Sequence, residues 1–251
     1  MTETLVLTRR AVVEGVRSFE SLMPMLFIPL FFFVVNVGQA GKIFPKEGTP
    51  FLEGQGYAAF SLPAALLTAA SFGTAALFLV EEIEGGYFDK LRATPIPRSS
   101  IVLGRLLSES LKNLMVTTVI VGVGVLFGVR IRSGLGGFLL LLAIMAVWAT
   151  VFSGFMQLVA MKTRSAAATN SASFIFFPLL FLTPNFVPRD QLTRPMEIAA
   201  SFNPVTYVME ALRSLVLEGF EWGTIGKCVI VLVVGTALAL ALNVRAINHY
   251  D

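Results

Sequence analysis

Residues 133–161 read SGLGGFLLLLAIMAVWATVFSGFMQLVAM, 29 positions without one Asp, Glu, Lys or Arg. Wound as a helix at ~1.5 Å per residue, such a run is about 44 Å long, more than the ~30 Å hydrocarbon core of a bilayer. A helix that is apolar on every side must be buried in a large core or in lipid. The pattern repeats outward from this run. Neutral windows also occupy 21–41, 54–80, 113–129, 165–188 and 228–244, and together the six take more than half of the 251 residues. Each reaches the ~17 residues that a crossing helix requires. The two shortest, 113–129 and 228–244, are flanked by Lys112, Arg130, Lys227 and Arg245, whose long side chains can snorkel to the headgroups. The expectation is an all-α membrane protein with six transmembrane helices. Composition agrees, at 55% hydrophobic and 14% charged, where a soluble domain carries about 25% charged residues.

The parts between the windows are patterned too. Residues 1–21 are unlike a secretory signal, because Glu3, Glu14 and Glu20 interrupt any basic region. Leu5, Val12, Val16 and Phe19 fall near one side of a helix and Arg10, Glu14 and Arg17 near the other, which predicts an N-terminal interfacial helix in the headgroup plane. Residues 183–225 are no ordinary loop. Asn203-Pro204 supplies an N-cap and a first-turn proline. Val205, Val208, Met209, Leu212, Leu215 and Val216 then recur at helical spacing, predicting about four turns, with a shorter helix near 195–202. Carrying Glu210 and Arg213 and ending before Glu218, the longer helix is too short and too charged to cross. It is expected as a re-entrant or surface helix held against the bundle near the outer mouth. Taking the loops alternately, the larger share of the 19 Lys and Arg falls on the side of the amino terminus, so both termini are expected in the cytoplasm. No repeat or composition break divides the chain. Residues 1–251 read as one transmembrane domain, with 1–21, 81–100 and 183–225 as its non-spanning parts.

Several chemistries have no residues to carry them. The phosphate-binding loop G-x-x-x-x-G-K-[ST] is missing, since Gly41-Lys42 and Gly226-Lys227 lack the earlier glycine. His249 is the single histidine, two residues from the end, and Cys228 the single cysteine, so metal catalysis and an internal disulfide find no support. Secondary transporters keep ionisable groups inside their spans, and these windows are long enough to cross without one. The phenylalanines cluster inside the lipid windows rather than beside a basic groove, which speaks against nucleic acid. The chain is expected to be no enzyme and to hold no metal or cofactor; if ATP is the fuel, another chain hydrolyses it.

Residues 81–98, EEIEGGYFDKLRATPIPR, are the most informative polar stretch. A helix leaving the bilayer meets an acidic patch, breaks at Gly85-Gly86, runs about two turns and stops before Pro95, since the residue preceding proline disfavours helix. Tyr87 and Leu91 share a face at i,i+4, with Phe88 beside them, giving this short helix an apolar side to dock. On composition alone a solvated connector is the favoured reading. The pattern Glu82-x-Glu84-x-Gly86-x-x-Asp89-Lys90-Leu91-x-x-Thr94-Pro95, followed by Gly104-Arg105, resembles the signature loop of type-2 ABC transporter permeases, the daunorubicin-resistance-like membrane subunits. Asn203-Pro204-x-Thr206-Tyr207 with Arg213 is similar to the motif these permeases carry before their last span. The sequence departs from the family pattern at Ile83, usually basic, and Tyr87, usually threonine.

The resemblance implies a permease that dimerises, as a homodimer or with a sister chain, and recruits two copies of a separate ATP-binding subunit. ATP and Mg would be bound there, and the helix near 86–94 would act as the coupling element. On that reading Glu82, Glu84, Gly86, Leu91, Arg92, Thr94 and Pro95 form the coupling site. The substrate path is expected along the second and fifth spans, with Phe72, Asn170, Phe174 and Phe177 as candidates. The cargo class implied is a hydrophobic or amphiphilic drug, lipid or glycoconjugate, exported across a bacterial inner membrane. A polysaccharide-export permease is the alternative within the family, and a non-transporting anchor or sensor subunit the alternative outside it.

Overall fold

The neutral run at 133–161 forms one uninterrupted helix, α7 (Gly134–Thr163), and most other long helices touch it. The computed structural model describes residues 2–17, 19–94 and 96–249, with the side chains at 2, 3, 19–21, 75, 92, 98 and 99 left undescribed. In chain order the helices are α1 (Thr2–Arg17), α2 (Phe19–Ala40), α3 (Tyr57–Ser71), α4 (Ala75–Glu84), α5 (Tyr87–Arg92), α6 (Arg98–Leu126), α7, α8 (Ala166–Ser173), α9 (Phe176–Phe181), α10 (Arg194–Phe202), α11 (Pro204–Leu217) and α12 (Trp222–Asn248). Five stretches are long and apolar enough to cross a membrane: Leu22–Ala40, Tyr57–Glu84, Ser100–Leu126, Gly134–Thr163 and Trp222–Asn248.

The fifth neutral window, 165–188, departs from the simple expectation of a span. It folds as α8 and α9, broken at Phe174-Ile175, and the apolar helical stretch Ala166–Phe181 is shorter than the other five. At ~1.5 Å per residue its sixteen residues extend about 24 Å, less than a full ~30 Å core. The helix that holds the third window extends well beyond it. The sequence window 113–129 begins after Lys112, yet α6 starts at Arg98 and ends at Leu126, so the stretch Ser100–Leu126, long and apolar enough to cross, takes in Arg105, Glu109 and Lys112. The second window is interrupted at Phe72–Thr74, between α3 and α4. A Cβ added at Gly73 would lie 2.6 Å from Oε1 of Glu109, so the break and the charged turn of α6 occupy one place.

Small residues set the helix contacts, as is usual where lipid supplies no hydrophobic drive between helices. α1 runs beside the first half of α6 in the same direction: a Cβ at Gly104 would lie 2.9 Å from the Leu7 Cβ, and one at Gly15 would lie 2.8 Å from Lys112 Cδ. α7 and α12 pack side by side in the same direction, Val151 against Gly235 and Gly154 against Ala239. A Cβ at Gly154 would lie 2.8 Å from the Ala239 Cβ, and the buried Asn243 donates Nδ2–H to Gly154 O at 2.7 Å.

The expected helix after Asn203-Pro204 is α11, whose sides are buried against α3, α7 and α12. Its last carbonyls, which have no partner inside the helix, are taken up from outside. Gln55 Nε2 donates to Val216 O at 2.9 Å, Ser133 Oγ to Leu215 O at 2.7 Å and the Arg132 backbone N–H to Val216 O at 3.1 Å. The loops after α2, α6 and α11 thus meet at one end of the bundle, and α5 lies at the other.

Candidate functional site

At the α5 end, the hinge expected at Gly85-Gly86 is realised at Gly86, whose φ of +68° is left-handed and favours glycine. α5 follows for six residues and buries Phe88 and Leu91, while the Thr94 hydroxyl closes its end by donating to Leu91 O at 2.5 Å. Glu82 is turned inward. Its carboxylate pairs with Arg10 of α1 at 3.2 Å and with Arg105 of α6. The Arg10 guanidinium also sits 4.1 Å from the centre of the Tyr87 ring. One carboxylate therefore ties together α1, α4 and α6, and a cation–π contact adds α5. Glu84, Asp89 and Lys90 are exposed on the outside of the same loop. Of the other coupling candidates, Pro95 lies outside the described residues and Arg92 is described in its backbone alone.

Two turns further along α6 is a second charge pair that the neutral windows did not anticipate. Lys112 Nζ lies 2.8 Å from Glu109 Oε2, with side chains 2% and 0% exposed, and donates to Thr74 Oγ1 at 3.0 Å. Arg105, Glu109 and Lys112 follow helical i,i+4 and i,i+3 spacing, and that signal, visible in the sequence, could have marked them as one functional face. Arg10, Glu82, Arg105 and Lys112 border one small cavity of ≈30 Å³, so the two pairs are neighbours.

The path candidates come together. A cavity of ≈300 Å³ opens where the α3–α4 break faces α8, bordered by Phe72, Thr74, Phe78, Glu81, Asn170 and Ser173. The Phe72 ring contacts Phe177 edge-on at 6.0 Å, and Phe177 stacks on Phe174 at 6.0 Å. Phe177 in turn borders a second cavity of ≈200 Å³, with Asn36, Gln39, Thr68 and Asn185 among its lining residues. The Phe72–Phe177 contact stands between the two spaces. Phe60 takes no part: it lies under the guanidinium of Arg213, 3.6 Å from its ring centre.

At the opposite end Asn203 caps α11 by accepting from the Val205 N–H at 3.0 Å, and its amide donates to Leu179 O at 2.5 Å, tying α11 to α9. Pro204 opens α11, and the Tyr207 hydroxyl donates to Ser201 O at 2.7 Å. Arg213 is buried in the bundle, and Arg189 pairs with Glu210 at 3.2 Å. Past the end of α11, burial pushes the Glu218 carboxyl above its ordinary range, and the neighbouring Glu221 and Glu53 push it further.

Residues 2–217 match the ABC-2 type transporter family. A protein of Mycobacterium tuberculosis (strain CDC 1551 / Oshkosh) described as a "Probable doxorubicin resistance ABC transporter permease protein DrrC" is 23% identical, over 98% of this chain and 89% of its own length. The "Daunorubicin resistance ABC transporter permease protein DrrB1" of Streptomyces coeruleorubidus is 24% identical, over 77% of this chain and 66% of its own. An integral membrane chain with this loop, this capped helix and this match is a membrane permease of an ABC transporter, a subunit rather than a catalytic enzyme, and it belongs to the ABC-2 type transporter family.

Proposed function

We propose that the chain is the membrane half of an exporter that moves an amphiphilic, aromatic-compatible solute outward, driven by ATP hydrolysis in a separate ATP-binding subunit. Two such subunits would hold ATP and Mg, and two permease chains would assemble with them in a bacterial inner membrane, the α5 end and both termini facing the cytoplasm. The observation that carries the reading is the tie at Glu82: a displacement delivered to α5 reaches α1 through Arg10 and α6 through Arg105 without passing through a flexible linker. Bistable packed elements of this kind transmit small shifts as rigid-body motion.

In this account Glu84, Asp89 and Lys90 meet the ATPase, Glu82 holds the loop to the bundle, and α8–α9 completes a sixth crossing as a broken helix. α1 lies at the headgroup level, with its exposed Leu5 and Val6 toward lipid. The names of the two relatives, which specify doxorubicin and daunorubicin resistance, support an amphiphilic drug as cargo. So does a cavity of ≈300 Å³ with aromatic walls and a few amides and hydroxyls, which suits a compact solute better than a polymer.

The test is coupled ATP hydrolysis in the complex reconstituted with its ATP-binding subunit. Glu84→Lys is expected to drop drug-stimulated hydrolysis to the basal rate with normal membrane abundance. Full stimulation in that variant rejects the docking assignment, and a complex that hydrolyses ATP without vectorial drug movement in vesicles favours the anchor reading.

A further inference from the structure

The seam between α7 and α12 carries features that export does not use. On its outward side, α7, α9 and α12 enclose a groove of ≈490 Å³ whose lining residues, Trp148, Phe155, Val234 and Leu238 among them, are all apolar. Continuing toward the α5 end on the same helical faces, Leu158, Met161 and Lys162 of α7 and Leu242, Arg245 and Ala246 of α12 border a second space of ≈760 Å³. Arg164 and His249 complete it, and among the described residues no acidic side chain lines it. The register is continuous: positions 151, 155, 158 and 162 of α7 and 234, 238, 242 and 245 of α12 follow i,i+3 and i,i+4 steps, and Gly154 on Ala239 pins the helices between the two spaces.

From Trp148 to Lys162 is about 21 Å along the helix, close to the depth of one leaflet plus its headgroup layer. An apolar slot of that length that ends in the cations Lys162 and Arg245 has the shape and polarity of one molecule: a lipid lying with its chain against Trp148 and its phosphate between Lys162 and Arg245. Each basic group near an anionic membrane surface contributes about 1 kcal/mol, or roughly fivefold in affinity.

We infer that the α7–α12 seam is a binding site for an anionic glycerophospholipid of the leaflet at the α5 end, selected by Lys162 and Arg245. The inference does not depend on the cargo or on coupling to ATP.

Trp148 provides the probe. Trp222 is the other of the two tryptophans, so the full chain with Trp222→Phe reports from the groove alone. It is reconstituted into vesicles of phosphatidylcholine containing an equal mole fraction of either acyl-brominated phosphatidylglycerol or acyl-brominated phosphatidylcholine. Stronger quenching by the brominated phosphatidylglycerol is expected, titrating at a concentration roughly tenfold lower. In Lys162→Gln/Arg245→Gln the two lipids should quench alike, each single variant losing part of the preference, while Arg9→Gln/Arg17→Gln keeps it. Val234→Phe, which fills the slot, should weaken quenching by both. Emission in unbrominated lipid, equal across variants, confirms the fold. Equal quenching by the two lipids in the Trp222→Phe chain overturns the site, as does a preference that survives the double substitution or disappears equally in the Arg9/Arg17 control.

Discussion

At the residue scale, what the sequence concealed was where charge is buried. Neutral windows make Lys112 the flank of a span; they do not show that it lies 2% exposed against Glu109 and Thr74, within the long apolar helix stretch Ser100–Leu126. Breaking a buried pair by removing one partner costs about 3–5 kcal/mol, while replacing both with apolar groups is often near neutral. Lys112→Met alone is therefore expected to lower membrane abundance and thermal stability sharply. Glu109→Leu/Lys112→Met should recover most of that loss, and a double-mutant cycle read by thermal unfolding in detergent measures the coupling. Glu82→Gln leaves Arg10 and Arg105 with a neutral acceptor and, at a partly buried site, should cost about 2 kcal/mol. Glu218 gives a pH signature of defined sign. Its carboxyl titrates higher folded than unfolded, so the folded state holds the proton more tightly between the ordinary carboxylate value of 4.5 and the raised one. Stability from this group falls as pH rises through that window and stays at the lower level above it. Glu218→Gln should raise the melting temperature at pH 7 slightly and flatten its acid dependence; an unchanged profile would show that Glu218 is not held in its raised state.

At the scale of elements, the local signals with a mechanism were legible and those set by packing were not. Asn203-Pro204 announces α11 because cap and first-turn proline act through the nearest backbone, and Gly85-Gly86 announces a hinge because glycine alone enters left-handed backbone freely. The hydrophobic stripe of α1, expected to face lipid, says nothing of the face packed against α6. Leu5 and Val13, on or beside that stripe, face outward, while Thr8 and Gly15 are buried against α6. A membrane helix is drawn to its neighbour by small residues and close backbones, since lipid already satisfies the large apolar ones. Gly104→Leu, forced onto the Leu7 Cβ, is accordingly expected to destabilise by about 1–3 kcal/mol and to lower ATPase coupling. Gly122→Leu, in the same helix with open space around it, should be neutral or stabilising by up to about 1 kcal/mol. Equal behaviour of the two variants would remove the α1–α6 contact from the account.

At the scale of the whole molecule, composition and neutral runs gave away the class, an all-helical membrane chain, because lipid forces backbone polar groups into helices. They did not give away which windows would be continuous. The breaks at Phe72–Thr74 and Phe174-Ile175 sit in neutral, strongly apolar sequence, and both exist because distant elements meet there: Glu109 of α6 against Gly73, and Phe72 against Phe177. The interrupted helices border the ≈300 Å³ cavity, and irregular backbone at membrane depth is tolerated where it is buried in protein or lines such a space. On the proposed path the cavities of ≈300 Å³ and ≈200 Å³ would be compartments in series, with the Phe72–Phe177 contact as the constriction between them. A constriction has a consequence that a merely packed aromatic pair lacks: widening it opens a leak. Phe72→Ala/Phe177→Ala is expected to raise ATP-independent efflux of a small amphiphilic dye from vesicles several-fold while ATP-driven accumulation falls. Phe72→Trp should slow both. The apolar substitution Phe60→Leu, on the same span beneath Arg213, should leave passive efflux at the wild-type rate. Efflux unchanged in the double alanine variant would return Phe72 and Phe177 to ordinary packing and move the passage elsewhere in the assembly.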